Sequence, residues 1–237
     1  MTDLSGWTPR PTPGRVALVG ARVRLEPLDW AGHGEGLFAA LGGEANAEIW
    51  THMPVGPFAE AEALHRMLDA NHAGEGWRTM VARVGADAGA DAGAEKGVCG
   101  MASYMRIREA HGAAEIGCVA FGAGLRRTSA ATEVLALMAG HLFNDLGYRR
   151  YEWKCNQTNA ASKRAAERFG FVTEGTFRKD MVTKGKSRDT AWYSITDDEW
   201  PALEAGLAGW LAPDNFAADG SQIRTLESFR KAARRPA

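Results

Sequence analysis

Ala114-Glu115-Ile116-Gly117-Cys118-Val119-Ala120-Phe121, then Gly122-Ala123-Gly124-Leu125-Arg126-Arg127-Thr128-Ser129-Ala130-Ala131, then Thr132-Glu133-Val134-Leu135-Ala136-Leu137-Met138: this run decides how the rest of the chain is read. It predicts a strand over residues 114–121, a basic turn of small residues, and a helix from Thr132 to Leu146 closed by Gly147. A turn that enters a helix leaves backbone N–H groups pointing outward beside the positive end of the helix dipole. Such a site takes phosphate oxygens, and Arg126 and Arg127 add charge at its mouth. Ser129, Ala130 and Ala131 are small enough for a diphosphate to approach the main chain. The competing reading is a capped helix with two solvated arginines.

Upstream, the first twenty residues contain Pro9, Pro11, Pro13 and Gly14 and read as an extended arm (residues 1–20). The main domain is expected over residues 21–210. It opens with an alternating strand at Arg22-Val23-Arg24-Leu25, stopped by Pro27, and a helix from Asp29 to Leu41. Asp29 is expected to cap that helix through its side chain, and Gly42-Gly43 to end it. Further helical stretches are expected over residues 44–50 and 59–71. Strands are predicted over 79–84 and 98–107, on either side of the low-complexity run 85–93, which reads as a hairpin loop.

Downstream, Tyr151, Trp153 and Cys155 alternate with Arg150, Glu152 and Lys154, giving a strand with two chemically distinct faces. A helix from Asn159 to Phe169 follows, then strands over 171–182 and 189–195, a short helix after Asp197, and a polar tail over 211–237. This order lacks the regular βαβαβ alternation of a dinucleotide-binding fold. It predicts an α/β (α+β) domain with one mixed, mostly antiparallel central sheet flanked by helices.

The chain has 237 residues, 45% hydrophobic, enough to bury a core. Its 28 Lys plus Arg against 29 Asp plus Glu give a net charge of -1, which argues against a protein whose whole surface binds nucleic acid or an anionic membrane. No stretch reaches the roughly 18 apolar residues of a membrane span, and the N-terminus lacks the features of a secretory signal. Three scattered cysteines read as free thiols, so a cytoplasmic location is expected. The six histidines show no spacing that gathers several at one metal, so no metal site is expected.

A second unit, Asn156-Gln157-Thr158-Asn159-Ala160-Ala161-Ser162, ends the alternating strand. Asn159 stands where a helix cap belongs and Ser162 falls in the first turn. These amides and the hydroxyl either contact an amide-containing ligand passing between strand ends or simply cap the helix.

The two units, in this order, resemble the GCN5-related N-acetyltransferase (GNAT) superfamily. Arg126-Arg127-Thr128-Ser129-Ala130-Ala131-Thr132 is similar to its pyrophosphate loop. Leu146-Gly147-Tyr148, Asn156 through Ser162, Arg168-Phe169-Gly170-Phe171 and Arg188-Asp189-Thr190-Ala191-Trp192-Tyr193 look like the branch that acetylates ribosomal-protein N-termini. With Arg24-Leu25-Glu26-Pro27-Leu28 the resemblance covers residues 20–205. One departure is Ser129, where the family usually places the first glycine of the loop.

The resemblance implies acetyl-CoA as co-substrate, without a metal, lying between the two central strands where they splay apart. Cys118, Val119 and Ala120 would offer backbone groups to the pantetheine and the thioester oxygen. Residues 126–132 would hold the diphosphate, and Asn156 and Asn159 the pantetheine. Ser162 matches a serine that donates to the departing thiolate. An α-amine, with a pKa of about 7.7–8.0, is partly neutral at pH 7 and needs only modest help from a base. Glu115 is the first candidate for that base. Asp180 is the second, because related proteins carry a glutamate one position on, where this chain has Met181.

The expected reaction is direct acetyl transfer to a primary amine, that of a protein or peptide N-terminus. A polyamine or aminoglycoside is the alternative acceptor, for which Glu44, Glu48, Glu60 and Glu62 could supply an acidic cleft. A non-catalytic acyl-CoA-binding regulatory module is a further alternative, and a homodimer is the assembly to consider. Neither a nucleic acid nor a membrane is expected as a partner.

Overall fold

The computed structural model describes residues 3–85 and 97–233. The hairpin-loop reading of the low-complexity run therefore falls, from residue 86 on, outside the described residues, as do the last four residues of the tail. The strands are β1 (Leu18–Val19), β2 (Arg24–Pro27), β3 (Arg78–Val84), β4 (Gly97–Arg108), β5 (Ala113–Phe121), β6 (Arg150–Asn156), β7 (Val172–Thr183) and β8 (Lys186–Thr196). They form one sheet in the order β1-β2-β3-β4-β5-β6-β8-β7. Every pairing is antiparallel except β5 with β6. The helices are α1 (Trp30–Leu41), α2 (Ala61–Gly74), α3 (Ser129–Gly140), α4 (Ala160–Phe169), α5 (Trp200–Leu211) and α6 (Leu226–Ala233).

The period-2 alternation of the strands divides their side chains between two cores. Val81, Met101 and Ala120 meet Leu37 and Leu41 of α1 and Leu64 and Leu68 of α2. Met80, Ala82, Ala102 and Tyr104 point the other way, into a larger cluster with Val134 and Met138 of α3, Phe169 of α4 and Leu203 of α5. The sheet is thus covered by helices on both faces, as the mixed, mostly antiparallel reading requires.

Several local expectations are corrected. α3 begins at Ser129, three residues earlier than expected, because the Thr128 hydroxyl accepts from the Ala131 N–H and caps it there. It stops at Gly140 and continues as a single π-helical turn, His141–Asp145. Asp29 sits at the N-cap of α1 but its side chain accepts nothing from the helix. Its own N–H donates instead to His33 Nδ1 at 3.1 Å. The arm supplies the short edge strand β1, and the polar tail supplies α6, whose Leu226 is buried in the larger core. Between β7 and β8, Lys184 and Gly185 both take positive φ (50° and 74°), the two-residue hairpin geometry that follows the twist of the strands. Glu152 is 3% exposed and held by Arg108 and Arg150 at 2.5 and 2.7 Å.

Glu133 on α3 anchors the start of the domain. Its buried carboxylate accepts from the N–H groups of Ala21, Arg22 and Val23 at 3.1, 2.7 and 3.0 Å. Removing it strands those three buried amides and breaks the ion pair with Arg22, so Glu133→Ala is expected to cost roughly 3–5 kcal/mol. For a chain of this size that is a fall of about 10 °C in melting temperature. A shift of under 2 °C by calorimetry (roughly 1 kcal/mol or less) would show that the anchor is not needed.

Candidate functional site

β5 and β6 pair only from Ala113↔Arg150 to Ile116↔Trp153. Beyond those residues the strands diverge, and the backbone edges facing each other have no ladder partner. β5 also bulges there: Met101↔Ala120 and Ser103↔Gly117 leave Cys118 and Val119 opposite the single residue Ala102. Cys118 takes φ +45° to make the bulge, which turns its peptide groups out of the ladder with β4. Gly117 permits the close approach, since a Cβ there would lie 2.3 Å from Met105 Sδ. The divergence opens a cleft of about 1710 Å³. Its walls include Gly117, Cys118 and Val119 of β5, Lys154 to Asn156 of β6, the turn Arg126–Ser129, and Asn159 and Ser162 of α4. Ala131 and Thr132 line it too, while Ala120 and Ala130 pack behind into the cores.

At one end of the cleft, α3 aims its first turn inward. Ser129 lies within the helix and the left-handed residue of the turn is Arg127, at φ +65°. Glycine's conformational freedom is therefore not required at Ser129, and the departure from the loop pattern leaves the helix entry intact. Arg126 is held by Glu48, Nη1 to Oε1 2.6 Å, whereas Arg127 forms no ion pair among the described residues. Arg168 of α4 reaches across to donate to Thr132 Oγ1 at 3.1 Å, with its guanidinium over the Trp210 ring.

On the opposite wall, Asn159 caps α4: its Oδ1 accepts from the Ser162 N–H at 3.0 Å. Asn156 Oδ1 accepts from the N–H and the hydroxyl of Thr158 at 3.0 and 2.9 Å. Both acceptor oxygens are thus engaged locally, which leaves the side-chain NH₂ groups to meet a carbonyl. Ser162 Oγ accepts from the Trp153 indole N–H at 3.0 Å, leaving its own proton to be donated. Cys155 lies beside it in the core; burial raises its thiol pKa while the Ser162 hydrogen bond acts in the other direction.

Glu115 projects from β5 into the cleft and is 2% exposed. Lys154 Nζ lies 3.3 Å and Arg106 Nε 3.8 Å from its Oε2. The Arg106 contact is beyond hydrogen-bond distance, and the Lys154 contact does not satisfy that oxygen as a hydrogen bond. Desolvation outweighs both cations and pushes the carboxyl up to about 7. Asp180 lies elsewhere. It falls in the β7 stretch between Phe177 and Met181 that loses register with β8, and is exposed, while its neighbour Met181 lines the cleft. Glu44, Glu60 and Glu62 are exposed and outside the cleft wall; Glu48, paired to Arg126, is the member of those clusters that reaches it.

Arg106, Lys154 and Arg188 enter the cleft without having been singled out in the sequence. The alternation of Arg150, Glu152 and Lys154 signals a polar face. That this face meets Glu115 depends on the parallel register of β5 with β6, a long-range pairing that local periodicity does not encode. Among the described residues no three His, Cys, Asp or Glu side chains could hold a metal ion, and no helix is long and apolar enough to cross a membrane.

The Acetyltransferase (GNAT) domain matches residues 22–172. The structure is similar to a GCN5-related N-acetyltransferase from Brucella melitensis, at 42% identity and a TM-score of 0.87, over 96% of this chain and 100% of that one. A GNAT-family protein from Chromobacterium violaceum is 39% identical with a TM-score of 0.75, over 85% of this chain and 96% of that one. No curated relative matches. A splayed central strand pair, a basic helix entry at one end and a buried carboxylate at the other thus stand within a domain match that spans most of the chain. The chain belongs to the GNAT acetyltransferase family and is an acetyl-CoA-dependent acetyltransferase.

Proposed function

We propose that the cleft transfers an acetyl group directly to a primary α-amine, that of a protein or peptide N-terminus, with Glu115 as the proton acceptor. The observation that carries this reading is a carboxyl buried in the cleft beside the β5 bulge, with its pKa raised to about 7. A base poised near the working pH is both deprotonated often enough and basic enough to relieve an attacking ammonium of its proton.

The residues present suit acetyl-CoA. The first turn of α3, with Arg127, Thr128, Ser129, Ala130, Ala131 and Thr132, would hold the diphosphate, and Arg126 would stand at its mouth. The NH₂ groups of Asn156 and Asn159 and the unpaired edge of β5 at Cys118, Val119 and Ala120 would hold the pantetheine amides. When bound, acetyl-CoA supplies the electrophilic thioester carbonyl. The bulged backbone of β5 would receive the charge that develops on that oxygen, and Ser162 would protonate or hydrogen-bond the sulfur as it leaves.

An α-amine acceptor is supported by the resemblance to the branch that acetylates ribosomal-protein N-termini. It is also supported by charge. Arg106 and Lys154 flank Glu115 in the cleft, whose wall also carries Arg188, a setting that repels polyamines and aminoglycosides.

Two measurements test the reading. Acetyl-CoA at about 100 times its Kd stabilises the fold by about 2.7 kcal/mol, a rise of several degrees in melting temperature. Arg127→Glu should weaken acetyl-CoA binding roughly fivefold to tenfold, the range for an exposed charge at a diphosphate. No shift at saturating acetyl-CoA, or no thiol release with N-terminal peptides, would sink the proposal.

A further inference from the structure

The fold compensates its buried charges with one exception. Glu133 has three amides and Arg22; Glu152 has Arg108 and Arg150; Glu115 has Lys154 and Arg106. Arg188, 6% exposed and in the cleft wall, has no ion pair among the described residues, and its buried Nε has no hydrogen-bond partner. The carboxylate next to it in sequence, Asp189, accepts from the Lys179 N–H through its Oδ1. An uncompensated buried guanidinium is costly, as is any desolvated ion left without a partner.

Arg188 is not alone. Alternation along β8 places Arg188, Thr190 and Trp192 on one face, and Trp192 pairs with Lys154 of β6. Each of the three leaves a buried polar atom unpartnered: Nε of Arg188, Oγ1 of Thr190 and Nε1 of Trp192. All three can donate, and two of them can only donate. The same face carries the Arg106 guanidinium 4.6 Å and the Lys154 ammonium 5.4 Å from the Trp192 ring centroid. The Trp192 end of this face, with Lys154 and Arg106, borders the proposed base, and Arg188 lies four residues further along β8 in the same cleft wall.

We propose that the acceptor amine carries a carboxylate and that Arg188 binds it. A guanidinium and a carboxylate match as a planar, two-point pair, and the pairing would relieve the buried charge only when acceptor is present. The proposal rests on the acetyl-transfer reading and narrows its acceptor. The carboxylate could belong to an amino acid or to an acidic side chain near a peptide N-terminus.

The test measures thiol release with matched acceptors: glutamate and methionine against their α-amides, and C-terminally amidated Ser-Glu-Ala against Ser-Gln-Ala. The acid member of one pair type should be preferred in kcat/KM by about tenfold or more, the size of a desolvated charge pair. Which pair type responds identifies the source of the carboxylate. Arg188→Met should reduce that preference to less than about twofold while leaving acetyl-CoA affinity unchanged, and Arg188→Lys should keep part of it. Because methionine removes an uncompensated buried charge at similar volume, the Met variant should melt no lower than wild type.

A fall of several degrees in that variant would assign Arg188 to the fold and overturn the proposal. So would equal use of acid and amide in both pair types, a preference that survives Arg188→Met, or preferred turnover of spermidine. Each of these leaves acetyl transfer standing. No thiol release from any amine would overturn acetyl transfer itself, and this inference with it.

Discussion

Glu115→Gln is expected to lower kcat/KM by on the order of 10²–10⁴, the usual contribution of a positioned general base. The amide keeps the shape of the carboxyl and removes its capacity to take a proton. The pH profile adds a second readout. With its carboxyl pushed up to about 7 by burial, the wild-type enzyme should gain activity as pH rises through about 7. A further rise follows as the amine itself deprotonates at about 7.7–8.0. The Gln variant should keep only the second rise. Stability runs the opposite way. The folded state holds the Glu115 proton more tightly than the unfolded chain, so this group's contribution to stability is present below its ordinary pKa and is lost as pH rises through about 7. The Gln variant should lack that decline. Unchanged turnover with an unchanged profile would remove Glu115 from the chemistry.

Ser162→Ala is the second large expected effect. The Trp153 indole donates to Ser162 Oγ at 3.0 Å, so the serine proton is not spent on Trp153, and Ser162 lines the cleft. Deleting that donor should lower kcat on the order of 10²-fold, as for other preorganised donors at developing charge. Acetyl-CoA affinity should change little, because a neutral thioester sulfur is a weak acceptor and a departing thiolate a strong one. Some loss of stability is expected as well, since Trp153 is 6% exposed and its N–H would lose its partner. Rates should therefore be compared well below the melting temperature. A rise in KM for acetyl-CoA at constant kcat would make Ser162 a binding residue only.

The central unit was legible because its signals are local. Glycines and small residues mark the turn, alternation marks β6, and Asn159 with Ser162 marks the start of α4. The early start of α3 is hidden because Thr128 reads as part of the basic turn, although a threonine followed by Ser-Ala-Ala suits a cap and first helical turn. The three cations on the strands of the site were not legible as a group. Arg106, Lys154 and Arg188 come from three strands, and only the register of β4, β5, β6 and β8 brings them to one cleft. Asp180 is adjacent in sequence to a cleft residue, and the irregular pairing of β7 with β8 between Phe177 and Met181 separates the two.

The central claim is that acetyl-CoA lies in the divergence of β5 and β6 with its diphosphate at the start of α3. Amide hydrogen exchange of the intact chain, with and without acetyl-CoA, tests it most directly. The account predicts that added protection concentrates in residues 117–121, 127–132 and 156–162, the three segments that wall the cleft. Protection confined to other segments, such as α5 and α6, with these three unchanged, would contradict it.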